Sequence, residues 1–465
     1  MVLRPEALYR AVETRDARFD GRFFTGVVTT GIYCRPVCPS RTPRASSCVF
    51  FRSAAAAAAA GFRACLRCRP EVAPRVAAWT GTAAVVSRAL RLLDDGAFDR
   101  AGVDALAGKL GIGARHLRRL FLDHLGAPPV AVAQARRALF AKALLQETRL
   151  PVGDVALAAG FGSLRRFNAV MRRALGRAPG EVRRGRAPAD GPDVTLRLPY
   201  TPPYDWDAMA AFLGARAIPG VEEVFEGGWR RLTAGGTVEV RPGKGALMAT
   251  IRCSRLAMLP GAVVRLRRLF DLDADARAIG RHLSRDPLLA PLVKARPGLR
   301  VPGAWDGFEL AVRAVLGQQI SVAGARTLAG RIAERFGAAP RHPAGDLRRV
   351  FPGPERIAGA DLSGIGLPKA RARAISALAA HPELPGPAAT LEDAVERLAR
   401  LPGFGPWTAH YVAMRALGEP DAFPSGDLGL MRATGLTAAA LQARAERWRP
   451  WRAYAAIHLW AGGPR

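Results

Sequence analysis

Four cysteines stand at Cys34-x3-Cys38 and Cys65-x2-Cys68, with 26 residues between the pairs. Each short spacing puts two thiolates on one tight turn, and two such turns complete a tetrahedron. Zinc favours such a four-sulfur set, with bonds of about 2.3 Å. The spacing serves a closed structural knot and a reactive thiolate site alike. Cys48 and Cys253 lack partners at metal-binding spacing and are expected to be core residues. A second stretch with chemical meaning is Leu401-Pro402-Gly403-Phe404-Gly405-Pro406-Trp407-Thr408-Ala409. Its glycines allow a helical hairpin tight enough for backbone N–H groups to reach a DNA phosphate. A carboxylate, Asp427, follows 20 residues after Trp407.

These residues need elements to hold them. From about Thr80 to Arg186 the apolar pattern is helical and contains a weak repeat. Ala107-x-x-x-Gly111 and Ala156-x-x-x-Gly160 each lead from a small-residue helix into an Arg-bearing one, about 50 residues apart. The alanines let two helices approach closely, and the glycines suit a left-handed turn position. The second helices then offer His116, Arg118 and Arg119, or Arg165, Arg166 and Asn168, to a DNA major groove. Arg186 to Pro192 reads as a linker. Val194–Leu198 and Val238–Ile251 alternate as strands do. From about Phe308 onward the pattern returns to helices separated by Gly/Pro turns.

The chain has 465 residues, enough for two to four domains of about 100–200 residues each. Its formal charge is +30, and only five of the 69 basic residues are Lys. That balance points to an acidic partner, nucleic acid or anionic lipid. It excludes an acidic disordered chain, a collagen-like fibre and a small disulfide scaffold. No window approaches the ~18 apolar residues of a membrane span. Met1–Asp16 carries Arg4, Glu6, Arg10 and Glu13 with no apolar core, so it does not read as a signal peptide. A cytoplasmic location with reduced thiols is expected.

Thr29-Thr30-Gly31-Ile32-Tyr33-Cys34-Arg35-Pro36-x-Cys38, followed by Gly61-Phe62-Arg63-x-Cys65-x-Arg67-Cys68, closely resembles the zinc domain of Ada adaptive-response proteins. The resemblance implies that Cys34 accepts a methyl group from a methylated DNA phosphate and that Cys34, Cys38, Cys65 and Cys68 bind Zn2+. It places Thr30, Arg63 and Arg67 at DNA-contacting positions. A zinc ion with four thiolates carries a net charge of about −2, which keeps its sulfurs nucleophilic. Methylating one sulfur removes a unit of negative charge, so repulsion from the DNA backbone falls. The segment from Gly160-Phe161-Gly162-Ser163 to Pro179 resembles the AraC-type regulator domain.

Residues 195–465 resemble the AlkA-type 3-methyladenine glycosylases of the helix-hairpin-helix superfamily. Pro203-Tyr204-Asp205-Trp206, Trp305-Asp306-Gly307-Phe308-Glu309, Leu316-Gly317-Gln318-Gln319-Ile320-Ser321 and His458-Leu459-Trp460 carry the likeness beside the hairpin. The resemblance implies an aromatic pocket of Phe212, Trp407, Tyr411 and Trp460 for an extruded alkylated purine. Asp427 becomes the catalytic carboxylate that stabilises oxocarbenium character at the sugar. Gly403, Gly405 and Thr408 take phosphate-gripping positions. The Leu401 and Phe404 carbonyls are placed to hold a monovalent cation. Gln319 takes the position that fills the gap left by the flipped base. Where the lyase branch carries Lys in the hairpin, this chain has Trp407, and Lys is absent from residues 370–465. A monofunctional glycosylase is therefore expected, with no iron–sulfur cluster. Gln319, Gly426 and Leu428 depart from the type, which has an apolar, an acidic and an aromatic residue there. No Pro-Cys-His-Arg motif exists for O6-methylguanine transfer.

The expected architecture is multidomain and mainly α with small α+β parts. A zinc-binding α/β module built on the four cysteines spans 1–78, and a double helix-turn-helix spans 79–187. A small AlkA-like α+β domain with an antiparallel sheet spans 188–300, and the helix-hairpin-helix glycosylase domain spans 301–465. The expected partners are alkylated and operator double-stranded DNA, with RNA polymerase for activation and no membrane. Two reading heads in one chain make a monomer sufficient. Two other readings share these residues: a DNA-binding regulator without repair chemistry, and a glycosylase whose front half only targets DNA.

Overall fold

The computed structural model describes residues 4–73, 82–94, 97–183, 193–340, 344–386 and 388–462. The expected linker at 186–192 lies outside them. The chain forms two compact units. One is Met1–Pro199 with Cys253–Gly261, and the other is Tyr200–Arg252 with Ala262–Arg465.

In the first unit, four short strands lie in the order Cys48–Phe51, Phe24–Val27, Ile32–Cys34 and Arg63–Ala64. The first three pair antiparallel. The last runs parallel to Ile32–Cys34, with Ile32 opposite Arg63 and Tyr33 opposite Ala64. This register delivers Cys34 and Cys65 side by side as the two strands end. Gly26 is required by close approach, because a Cβ there would stand 2.7 Å from Phe51 and 2.8 Å from Phe62. The alanine run is a helix, Ala54–Ala59, capped by the Ser53 hydroxyl accepting from the Ala56 N–H. Its small side chains let Ala55 and Ala56 enter the same core as Leu106, Leu110, Leu117 and Phe121.

The repeat folds twice the same way. Helices Ala97–Lys109 and Ala114–Leu125 flank Gly111, and helices Val152–Ala158 and Leu164–Leu175 flank Gly160. Both glycines are left-handed, with φ of +66° and +77°. Ala107 and Ala156 are buried. Gly126 and Gly176 end the two Arg-bearing helices with the same backbone, φ 70° and ψ 14°. Helix Pro129–Glu147 connects the pair.

In the second unit, strands Glu222–Phe225, Gly228–Thr233, Gly236–Gly243 and Ala246–Cys253 neighbour one another in chain order. The Val238–Ile251 pattern is thus two strands. The two before it carry no clean alternation, because Gly228–Thr233 buries residues on both faces. A buried ionic network ties this sheet to helix Gly307–Leu316. Arg231 donates to Glu222 and Glu309, and Arg313 donates to the same two carboxylates at 2.9 and 3.0 Å. The helical remainder packs around two apolar cores. Helices Leu391–Ala399 and Pro406–Arg415 form the expected hairpin. Cys48 and Cys253, expected in the core, are only half-buried.

Candidate functional site

In the second unit, a cavity of about 790 Å³ is lined by Phe212, Trp407, Tyr411, Asp427 and Trp460 among others. Residues separated by up to 248 positions therefore meet in one place. Phe212 comes from helix Trp206–Arg216, which starts where the Asp205 side chain accepts from the Ala208 N–H. Trp407 and Tyr411 are one helical turn apart on Pro406–Arg415, so their rings stack 5.2 Å apart at 12°. Trp460 lies edge-on to Tyr411 at 6.4 Å, near the end of helix Arg452–Gly462.

Asp427 caps helix Leu428–Thr434. Its Oδ1 accepts from the Leu430 N–H at 3.0 Å and from Trp460 Nε1 at 2.9 Å. Its Oδ2 accepts from Trp407 Nε1 at 2.8 Å. Three donors hold one half-buried carboxylate against the cavity wall. Burial pushes the Tyr411 phenol up, but Arg415, Arg216 and Arg313 outweigh it and leave the phenol below its usual value. Arg415 donates to the Tyr411 hydroxyl at 2.6 Å and to the Pro302 and Gly303 carbonyls.

The hairpin turn carries Gly403 at φ +76°, exposed, and Gly405 as the exposed N-cap of its second helix. This leaves the backbone N–H groups of a helix start facing outward, a favourable place for a phosphate. The Thr408 side chain points inward. It is buried, and its hydroxyl accepts from Gln318 Nε2 at 3.0 Å. Gln319 stands exposed between helices Gly307–Leu316 and Val322–Phe336, in the left-handed region at φ +56°. Gln318, which motif reading did not single out, also donates to the Gly403 carbonyl at 2.9 Å, and Arg371 donates to the Gln318 carbonyl. The loop that carries Gln318 and Gln319 is thereby clamped to the hairpin turn at Gly403.

In the first unit, the Sγ atoms of Cys34, Cys38, Cys65 and Cys68 all lie within 4.8 Å of one another. Sulfurs at about 2.3 Å from a tetrahedral zinc would be just under 4 Å apart, so the set fits the ion. The crowding pushes the Cys34 thiol up, mainly through its hydrogen bond to Cys38, and pulls the Cys38 thiol down by the reciprocal bond. Four thiolates at this spacing need a cation between them. Cys65 and Cys68 are buried, whereas Cys34 and Cys38 are reachable from outside. The backbone positions the cluster: the Cys65 N–H donates to the Tyr33 carbonyl and the Arg35 N–H to Cys68 Sγ. Arg35 also donates to Asp20 and to the Cys68 carbonyl. Thr30, Arg63 and Arg67 are exposed, with Arg63 donating to the Thr30 carbonyl at 3.1 Å.

Lys142, fully buried, reaches the same cluster from the connecting helix. Its Nζ donates to the Cys65 carbonyl at 2.9 Å and to Glu71 at 2.5 Å. No local signal could have found it, since 77 residues separate it from Cys65. On the Arg-bearing helices, Arg118, Arg119, Arg165 and Arg166 are exposed. Among the described residues, no helix is long and apolar enough to cross a membrane.

Comparison with known proteins finds relatives of both units. Residues 7–71 match the metal binding domain of Ada, 106–185 a helix-turn-helix domain, and 195–306 the AlkA N-terminal domain. The DNA-3-methyladenine glycosylase 2 of Escherichia coli is 37% identical over 280 residues, covering 57% of this chain and 95% of that one. The fold of 3-methyladenine DNA-glycosylase from Archaeoglobus fulgidus superposes with a TM-score of 0.50 at 24% identity, covering 57% of this chain and 97% of that one. A Mycobacterium tuberculosis protein named "Probable bifunctional transcriptional activator/DNA repair enzyme AlkA" is 44% identical over 476 aligned positions, covering 98% of this chain and 96% of that one. With that likeness running the length of both chains, this protein belongs to the AlkA family of bifunctional transcriptional activator/DNA repair enzymes.

Proposed function

We propose that the protein repairs alkylated DNA at two separate centres and that its front half reports the damage as a transcription activator. The Asp427 carboxylate, held by two indole N–H groups and a backbone N–H inside an aromatic cavity, is the observation that carries the glycosylase reading. A flipped 3-methyladenine or related base carries positive charge and is a good leaving group. Phe212, Trp407, Tyr411 and Trp460 offer it ring faces, an attraction of up to about 2 kcal/mol when desolvated. As the C1′–N bond breaks, its electron pair stays on the purine and positive charge develops on the sugar. Asp427 stabilises that charge and orients the attacking water. Trp407 cannot form a Schiff base, so the product is an abasic site in an intact strand.

Gln319 fills the space left in the duplex. Gly403, Gly405 and the backbone of Thr408 grip the flanking phosphate, with a monovalent cation held by the Leu401 and Phe404 carbonyls. In the front unit, Cys34, Cys38, Cys65 and Cys68 would hold a zinc ion, which would keep their sulfurs as thiolates. Cys34 Sγ then attacks the methyl carbon of a DNA methylphosphotriester. An S–C bond forms, the C–O bond breaks, and its electron pair leaves a phosphodiester anion. Thr30, Arg63 and Arg67 hold the strand. The four-part division at 78, 187 and 300, action as a monomer, recruitment of RNA polymerase and work in the cytoplasm complete the proposal.

The test follows isotope-labelled methyl groups on alkylated duplex DNA. Label is expected on the protein and in free purines. Cys34→Ser should abolish the first while zinc stays bound. Asp427→Asn should slow the second by at least about 100-fold. Free purines with unlabelled protein would reduce the front half to targeting. Label wholly retained on DNA would leave a regulator without repair chemistry.

A further inference from the structure

The loop between helices Gly307–Leu316 and Val322–Phe336 has an exposed tip, Gln319, in the left-handed region at φ +56°. That backbone is strained for a residue with a Cβ and persists only where the surroundings enforce it. The enforcing contacts all fall on the residue before it. The Gln318 N–H donates to the Val315 carbonyl at 3.3 Å, and Arg371 donates to the Gln318 carbonyl. The Gln318 side chain is half-buried and gives its amide to the hairpin, to the Gly403 carbonyl at 2.9 Å and the Thr408 hydroxyl at 3.0 Å. The Thr408 hydroxyl is buried and committed to this loop, so it is not available to a phosphate. Helix Lys369–Ala379 braces both partners. Arg371 lies in its first turn, and a Cβ at Gly403 would stand 2.9 Å from the Ala374 Cβ. Two left-handed turns, at Gln319 and at Gly403 with φ +76°, are thus joined through one amide group.

We infer that Gln318 is a positioning residue that makes phosphate gripping and gap filling a single event, and so sets how well paired lesions are excised. This rests on the glycosylase reading above, with Gln319 as the gap-filling side chain. Gln319 must enter the duplex as the base leaves it. A loose loop would lose conformational freedom at that moment and oppose extrusion. With Gln318 fixed to the hairpin, the loop is ordered before DNA arrives. The phosphate gripped at Gly403 and Gly405 then fixes where the tip enters. The gain falls on extrusion and not on bond cleavage, because Gln318, Gly403 and Thr408 are not among the described residues that line the cavity. A paired base resists extrusion, and a base with nothing opposite resists less. When a lesion is mostly stacked, its excision rate follows the extrusion equilibrium. When it is mostly extruded, the rate approaches that of bond cleavage. Gln318 therefore matters most for the paired lesion.

Single-turnover excision of 7-methylguanine tests this in two duplexes, one with cytosine opposite the lesion and one with an abasic site opposite it. Gln318→Met keeps the length of the side chain and removes both donors. It is expected to slow the paired lesion by about 10-fold, within the worth of two neutral hydrogen bonds. The unpaired lesion should slow by less than about twofold. 2-Aminopurine beside the paired lesion reports unstacking, and its fluorescence rise on binding should shrink with the variant. Affinity of Gln318→Met for undamaged duplex should be little changed. Arg371→Met frees the same turn from its other side and should show the same selectivity, and thermal melting checks that both variants fold. Equal slowing on both duplexes, no slowing on the paired one, or an unchanged fluorescence rise would overturn the inference and leave the glycosylase reading standing. A wild-type protein inert on both duplexes would remove that reading and this inference with it.

Discussion

Trp460 brings two separable things to the cavity: an aromatic face and a proton donor. Its Nε1–H binds Asp427 Oδ1 at 2.9 Å, while Trp407 holds the other oxygen. Trp460→Phe keeps a ring and removes the donor. The lost bond to a charged group is worth about 1.5–3 kcal/mol. The expected outcome is a fall of roughly 10-fold or more in the saturating excision rate, with binding of damaged duplex little changed. Weaker binding at an unchanged saturating rate would assign Trp460 to stacking alone. That Trp460 lies in the pocket was legible from its motif. That both tryptophans are hydrogen-bonded to the carboxylate was not, because 33 residues separate Trp460 from Asp427 and only the packing of their two helices joins them.

The connecting helix Pro129–Glu147 does more than space two DNA-reading heads. Through Lys142 it holds Glu71 and the Cys65 carbonyl, and through Glu147 it accepts from Arg69. Arg69, next to Cys68, is itself in the left-handed region at φ +55°. A thiolate-bearing loop is therefore tied to the element that orients the second helix-turn-helix. Lys142→Met removes one of two cations from the buried Glu71 and leaves Arg69, 3.0 Å from Oε1, as the other, a cost of about 1–3 kcal/mol. It should lower the melting transition of the first unit and speed zinc loss to a chelator. Adding Glu71→Leu should recover much of the stability, since an apolar pair can replace a buried ion pair. If the double variant is as unstable as the single one, the ion pair is not the source. Periodicity was enough to find the two Arg-bearing helices, because their caps and spacing are local. It could not show that a Lys on the helix between them faces inward.

Taken together, the chain carries +30, and both units hold buried basic groups that burial has pushed toward neutrality. Burial lowers His410 to about 4, with Arg452 adding to the effect, and lowers His458 to about 4. Both rings fold neutral. Below about 6.5 the unfolded chain takes up protons that the folded unit refuses. Stability therefore falls as pH drops from about 6.5 toward 4, by on the order of a few kcal/mol. His458→Leu should flatten this slope in calorimetric melts of the full chain. Identical slopes for the variant and the wild type would place the pH sensitivity elsewhere.

The chemistry of this protein was written locally. Four cysteines on two tight turns form a set that fits zinc, and Gly turns build a helical hairpin and two exposed Arg-bearing helices. Each depends on residues a few positions apart, so spacing alone specifies them. What only the tertiary structure decided is which distant groups surround those motifs. Two parallel strands set Cys34 beside Cys65, five predicted residues from distant helices meet at one cavity, and Gln318 clamps its loop to the hairpin. A linear pattern does not carry that information, because these contacts join residues far apart in the chain.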